Sequence, residues 1–182
     1  MNIFSKYFKR LTENPHEVGT STAKEKQSIF IKEYLKPALK QNGYLIKGQT
    51  WWKEEDEFYK IINLQNFSFN TKNDVTFCFN LGIGLKNQMK DPSQKPTYAN
   101  LNVHTREDWY LSEPKKEYGY RNETGYILKQ NTDIDNFIKE LKNDFENDIL
   151  PKLKKLVTLK DCLELYGDIP FWGNRLKEMV EK

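Results

Sequence analysis

The chain has 182 residues, 37% hydrophobic, 14% aromatic and 30% charged, a length that suits one domain and an aromatic content too high for disorder. Lys and Arg number 29 against 26 Asp and Glu, net +3, with the signs interspersed, so no broad field exists for nucleic acid or anionic lipid. No apolar run approaches the roughly 18 residues of a membrane span, the start MNIFSKYFKRLTEN lacks a signal-peptide pattern, and Cys78 and Cys162 form no disulfide framework, which together predict a cytoplasmic protein.

Residues 1–21 are expected to form an N-terminal amphipathic segment and linker. Ile3, Phe4, Tyr7, Phe8 and Leu11 recur at helical spacing among Lys6, Lys9 and Arg10, and Pro15 and Gly19 break the stretch that follows. Such a helix docks on its own domain, on a partner or on a membrane surface.

Residues 22–182 are expected to make a single α+β domain. Thr22 and Glu25 stand at capping-box spacing, and Ile29, Phe30, Leu35, Ala38 and Leu39 supply an apolar helix face that ends at Asn42-Gly43. Pro37 removes a backbone hydrogen bond, which predicts a kink near Tyr34. A strand follows around Gly48 and the two tryptophans, and the acidic run Glu54 to Glu57 makes a tight turn.

The densest aromatic and β-branched stretch is FYKIINLQNFSFNTKNDVTFCFNLGIGL, Phe58 to Leu85. Val75, Phe77, Phe79, Leu81 and Ile83 alternate with Thr76, Cys78, Asn80, Gly82 and Gly84, the period of a strand with one face in a core. The polar residues Asn66 to Asp74 join it to the preceding strand as a long-looped antiparallel hairpin. Gly82-Ile83-Gly84 lacks the third glycine and the following helix of a phosphate loop, and is attributed to strand curvature or a bulge.

After a proline-bearing surface loop, NLNVHT alternates again, and a last extended piece is expected around Tyr126 to Leu128. From Thr132 the period becomes helical: Ile134, Phe137, Ile138, Leu141, Phe145, Ile149 and Leu150 form a stripe behind a Thr132/Asp133 cap, interrupted by Pro151. Thr158 and Asp161 start a shorter helix closed by Gly167, and the tail FWGNRLKEMVEK adds a final helical piece. The fold expected is α+β, an antiparallel sheet of about four to five strands with an N-terminal helix and C-terminal helices packed on one face.

The stretches LKPALKQNGY, WWKEEDEFYKIINLQ, FCFNLGIG, HTRE and DILPKLKKL resemble the bacterial family known as domain of unknown function 4304, over roughly residues 23–165. The resemblance implies no activity, substrate or catalytic residue. Features associated with that family include Gln65, the Asn80-Leu81-Gly82 step, Arg106 and Trp109; in place of its apolar-glycine step after the arginine, this chain has Glu107-Asp108.

Gln65, Asn80, Asn102, His104 and Arg106 come from separate strands and converge on one sheet face if the register permits. Polar side chains on a half-buried face demand hydrogen bonds, which implies either a network or a wet concavity. Gln65, Asn80 and Arg106, with Trp109 and Trp52 as aromatic contacts, are therefore the candidate binding residues. Adjacent Trp51 and Trp52 point to opposite faces, one to the core and the other to an interface.

His104 with Arg106, Glu107 and Asp108 is the single place where a histidine neighbours both acids and a guanidinium, and His104, Glu107 and Asp108 are the candidate acid-base site. One histidine makes no metal site, because three or four donors are needed and His16 lies in the linker. No cofactor is implied, and the mixed charges around the aromatic residues provide no basic groove for nucleic acid. The expectation is a non-catalytic module that binds a protein or ligand, with an immunity-protein-like inhibitor as one subclass. The alternative is a small hydrolase or nuclease using His104, Glu107 and Asp108. The oligomeric state is left open.

Overall fold

Thr22 and Glu25 close a capping box around the first helix, α1 (Ala23–Phe30): the Glu25 N–H donates to Thr22 Oγ1 and the Thr22 N–H to Glu25 Oε2. A computed structural model describes residues 21–91, 93–112 and 119–181, so the amphipathic segment expected ahead of Ser21 lies outside the described residues. The kink expected near Tyr34 takes the form of a π-helical turn, Ile31–Leu35, that leads into α2 (Lys36–Gln41). Pro37 has no N–H to donate, and a proline ring crowds the carbonyl four residues back; a wider turn just ahead of it accommodates both.

Among the described residues seven strands follow, all paired antiparallel: β1 (Leu45–Lys47), β2 (Thr50–Glu54), β3 (Phe58–Asn66), β4 (Asp74–Leu85), β5 (Val103–Arg106), β6 (Arg121–Asn122) and β7 (Gly125–Lys129). The spatial order is β1-β2-β3-β4-β7-β6, with β5 also on β4. The count exceeds the four to five expected because β1 and β6 have three and two residues, too few for a period of two to show.

β4 is the centre of the sheet. Along one edge it pairs with the whole of β3, from Phe58↔Leu85 to Asn66↔Phe77. Its other edge is shared: β7 takes Asp74 to Phe77 and β5 takes Asn80 to Ile83, which leaves Cys78 and Phe79 between the two ladders. The glycines of the LGIG step serve close approach rather than a bulge. A Cβ at Gly82 would stand 2.0 Å from the Val103 carbonyl oxygen, and one at Gly84 would stand 2.4 Å from that of Asn100, so only glycine lets the returning chain lie this near.

Alternation along β4 sends Val75, Phe77, Phe79, Leu81 and Ile83 into the main core. Above them lie α1, α2, α3 (Ile134–Asn143), α4 (Leu150–Lys155), α5 (Leu159–Tyr166) and α6 (Trp172–Val180). Phe77 sits among the rings of Phe30, Tyr126, Phe79 and Phe137, with centroids 5.2, 5.6, 5.8 and 6.3 Å away. Burial of each such ring contributes about 1.5–3 kcal/mol. A second π-helical turn, Asp144–Ile149, joins α3 to α4 just ahead of Pro151, so the stripe interrupted by that proline runs on without a break in the helix.

The opposite face of the sheet is divided. At one end Trp52, Tyr59, Ile61 and Leu101 form a second cluster, with Met89 packed against it. The other end carries Thr50, Asn63, Gln65, Cys78, Asn80 and Arg106. No helix among the described residues is long and apolar enough to cross a membrane.

Candidate functional site

Register assembles the polar end of this face. Asn63 pairs with Asn80, Gln65 with Cys78, and Asn80 with Arg106, so their side chains rise together across three neighbouring strands. The Asn80 Nδ2 donates to Gln65 Oε1 at 2.9 Å and lies 3.5 Å from Asn63 Oδ1, while Asn63 Nδ2 donates to Thr50 Oγ1 at 3.0 Å. Asn80 is thereby buried with its amide satisfied, whereas Gln65 and Arg106 are exposed.

Arg106 turns away from that amide chain. Its Nη1 lies 3.5 Å from the Thr124 carbonyl oxygen and its guanidinium carbon 5.6 Å over the Phe67 ring. Phe67 in turn stacks on Phe69, with centroids 5.4 Å apart and planes 13° from parallel, and Phe69 is 64% exposed. The site is therefore a guanidinium and two stacked rings beside a row of neutral amides. Among the described residues no carboxylate stands within ion-pair distance of Arg106.

The two tryptophans expected in this group lie elsewhere. Trp52 is only 4% exposed, in a cluster with Leu101 and Ile61 against which Met89 packs; it is core rather than an exposed interface anchor, so both adjacent tryptophans are core. Trp109 belongs to a 3₁₀ turn, Glu107–Tyr110, and stacks on Tyr166 of α5 at 5.8 Å in the helical layer. Asn102 accepts the Leu85 N–H at 2.7 Å and ends a ladder.

His104, Glu107 and Asp108 are not brought together as an acid-base set. His104 is held between Tyr98 and Trp172, ring centroids 5.9 and 4.6 Å away, with its Nδ1 buried and without a hydrogen-bond partner. Burial, and then the charge of Arg175, hold its pKa below the usual histidine value. Glu107 points into the interior instead. Its Oε2 accepts the Phe79 N–H at 2.7 Å, and its Oε1 stands 3.2 Å from Arg121 Nη2, with both side chains 1% exposed. Asp108 approaches the same Nη2 at 3.4 Å.

Arg121 lies 4.4 Å over the Tyr126 ring, and the Tyr126 hydroxyl donates to Asp144 Oδ2 at 2.8 Å. Burial and then Asp144 push the Tyr126 pKa up, so the hydroxyl stays a donor. Of this buried chain, Glu107 to Arg121 to Tyr126 to Asp144, sequence reasoning singles out Glu107, as an acid-base candidate, and passes over Arg121 and Asp144. One signal of it is present: Asp144 stands three residues after Leu141 and seven after Phe137, a charged residue at a core position of the apolar stripe.

Both cysteines are buried free thiols, and burial pushes Cys78 up to about 11 and Cys162 up to about 12, which makes them inert near neutral pH. Among the described residues no three His, Cys, Asp or Glu side chains cluster as metal ligands.

No curated protein and no solved structure matches the chain. A family model does, the one described as Domain of unknown function (DUF4304), over residues 35–155. That span runs from the end of the first π-helical turn through every strand to the end of α4. It takes in well over half of the sequence, together with the amide row, Arg106 and the buried Glu107–Arg121 pair, and the chain therefore belongs to the DUF4304 family.

Proposed function

We propose that the chain is a non-catalytic binding module whose contact surface is the polar end of the second sheet face, centred on Arg106 and the Phe67–Phe69 pair. The observation that carries this is the exposed Phe69 ring stacked on a Phe67 that also bears the Arg106 guanidinium. Arginine and aromatic residues supply most of the energy at protein interfaces, and two stacked rings lose little side-chain entropy on binding. The occupant this chemistry fits is a protein segment that sets a carboxylate against Arg106 and an apolar side chain against Phe69, while Gln65 supplies the polar rim. An immunity protein, which blocks an enzyme by occupying it, is one class of such module. Two buried, reduced thiols suit a cytoplasmic setting.

The engagement of Glu107 by Phe79 and Arg121 supports binding over hydrolysis, since a carboxylate with both oxygens committed is a poor general base. The test is affinity capture with the tagged chain and three variants. A stoichiometric partner held by the native chain and by His104→Ala, and lost with Arg106→Ala and Phe69→Ser, is the expected result. A partner retained by both Arg106→Ala and Phe69→Ser, or an activity abolished by His104→Ala, overturns the proposal.

A further inference from the structure

On the helical side of the sheet, away from the amide row, a cleft of about 350 Å³ opens between the end of α2, the strands β2 and β3, and α4. Its charged lining is Lys53, Lys60 and Lys154, and no acidic residue lines it. Lys53 and Lys60 are direct partners in the β2–β3 register, so they stand side by side on one face, and like charges directly opposed in a sheet repel. α4 adds Lys154 to the lining.

Two ordinary explanations account for only part of this. Lys60, whose side chain is 2% exposed, is paired with Glu55 at 2.7 Å, as a buried cation must be. Among the described residues Lys53 and Lys154 have no carboxylate within ion-pair distance. Capping of α2 accounts for little of it: three of the last four carbonyls, those of Ala38, Leu39 and Lys40, already accept from the Asn42, Tyr44 and Gly43 N–H groups, and Asn42 Nδ2 adds a bond to Ala38 at 2.9 Å. Two of the three lysines that line the cleft thus have no carboxylate partner among the described residues.

We propose that this cleft is a binding site for a small phosphate monoester. Three cations less the Glu55 carboxylate leave two positive charges, which match a dianion. The volume is at the lower end of small-ligand pockets and exceeds what inorganic phosphate fills. Gln41, Asn42 and Tyr44 supply neutral polar contacts for the esterified part, and Leu150 an apolar wall. The second phosphate pKa is near 6, so affinity falls as the pH drops through that value.

The experiment is thermal shift and calorimetric titration of the full chain with ribose 5-phosphate, inorganic phosphate, malate and uncharged ribose. The variants are Lys53→Gln and Lys154→Gln, neither of them fully buried, with Lys139→Gln on α3 and Arg106→Ala as controls. The expected result is saturable binding of ribose 5-phosphate, weakened at least about tenfold by each cleft variant and unchanged in the controls. Ribose gives no shift, and the unliganded Lys53→Gln chain melts no lower than the native one, because a repulsion has been removed. Absence of saturable binding by both phosphate probes overturns the proposal. So does binding that survives both cleft variants, or malate binding as tightly as ribose 5-phosphate.

Discussion

The Glu107 carboxylate accepts the Phe79 N–H at 2.7 Å, although the two residues are 28 apart in sequence. Phe79 lies in the interval that neither β5 nor β7 covers, since the ladders stop at Asn80↔Arg106 and Phe77↔Tyr126. The carboxylate therefore does the work of a missing strand carbonyl. Burial pushes the Glu107 pKa up, and Arg121 opposes that rise. Removing the side chain leaves the buried Phe79 N–H unpaired and the buried Arg121 guanidinium with the longer contact to Asp108, at 3.4 Å, in place of two carboxylates. Glu107→Ala is expected to cost about 3–5 kcal/mol and Glu107→Gln less, because the amide oxygen still accepts from Phe79. Denaturant titration measures both, and an alanine loss below about 1 kcal/mol contradicts the bridging role.

Gly82→Ala places a methyl group against the Val103 carbonyl, where only 2.0 Å is available. Backbone gives way less readily than a side chain, so β5 is displaced and Arg106 with it. The expected outcome is a destabilised chain, by more than the ~1 kcal/mol typical of a substitution, and impaired capture of the partner that Arg106 holds. Native-like stability in this variant contradicts the close approach.

Tyr126→Phe keeps the ring against Phe77 and Arg121 but deletes the hydroxyl that donates to Asp144. Loss of about 1–3 kcal/mol is expected, the worth of one buried hydrogen bond to a carboxylate. Phe77→Ala, which empties the centre of the ring cluster, is expected to cost about 3–5 kcal/mol. Equal losses from the two substitutions count against a distinct role for the hydroxyl.

His104 prefers its neutral form in the folded chain, by burial first and Arg175 second. An unfolded chain takes up that proton near pH 6.5 and the native chain does so only at lower pH, so the unfolded state binds more protons in the window between. Stability contributed by this group is present above pH 6.5 and is lost as the pH falls towards the folded pKa. Melting temperatures at about pH 7.5 and about pH 5.5 are expected to differ less in His104→Gln than in the native chain. An identical difference in the two proteins contradicts the assignment.

Elements whose signals lie within a few residues of one another are legible in the sequence. The Thr22/Glu25 and Thr158/Asp161 capping boxes close as their spacing predicts, Asp133 caps α3, and the alternation of Val75 to Ile83 puts those residues in the core. The same alternation makes Gln65, Asn80 and Arg106 candidates for one face. It leaves open where each side chain turns once there, and Arg106 engages Phe67 while Gln65 engages Asn80. Trp52 departs from its expected interface role because it clusters with Leu101, some fifty residues later in the chain.

Periodicity, caps and breakers are properties of neighbours along the chain, and they determined the fold class, the order of helices and strands, and the buried face of the central strand. The tertiary structure alone decided that Glu107 bridges a ladder gap, that Arg121 and Asp144 share a buried chain with Tyr126, and that three lysines line one cleft. Those outcomes depend on strand register and on which distant segments pack together, and no short stretch of sequence carries that information.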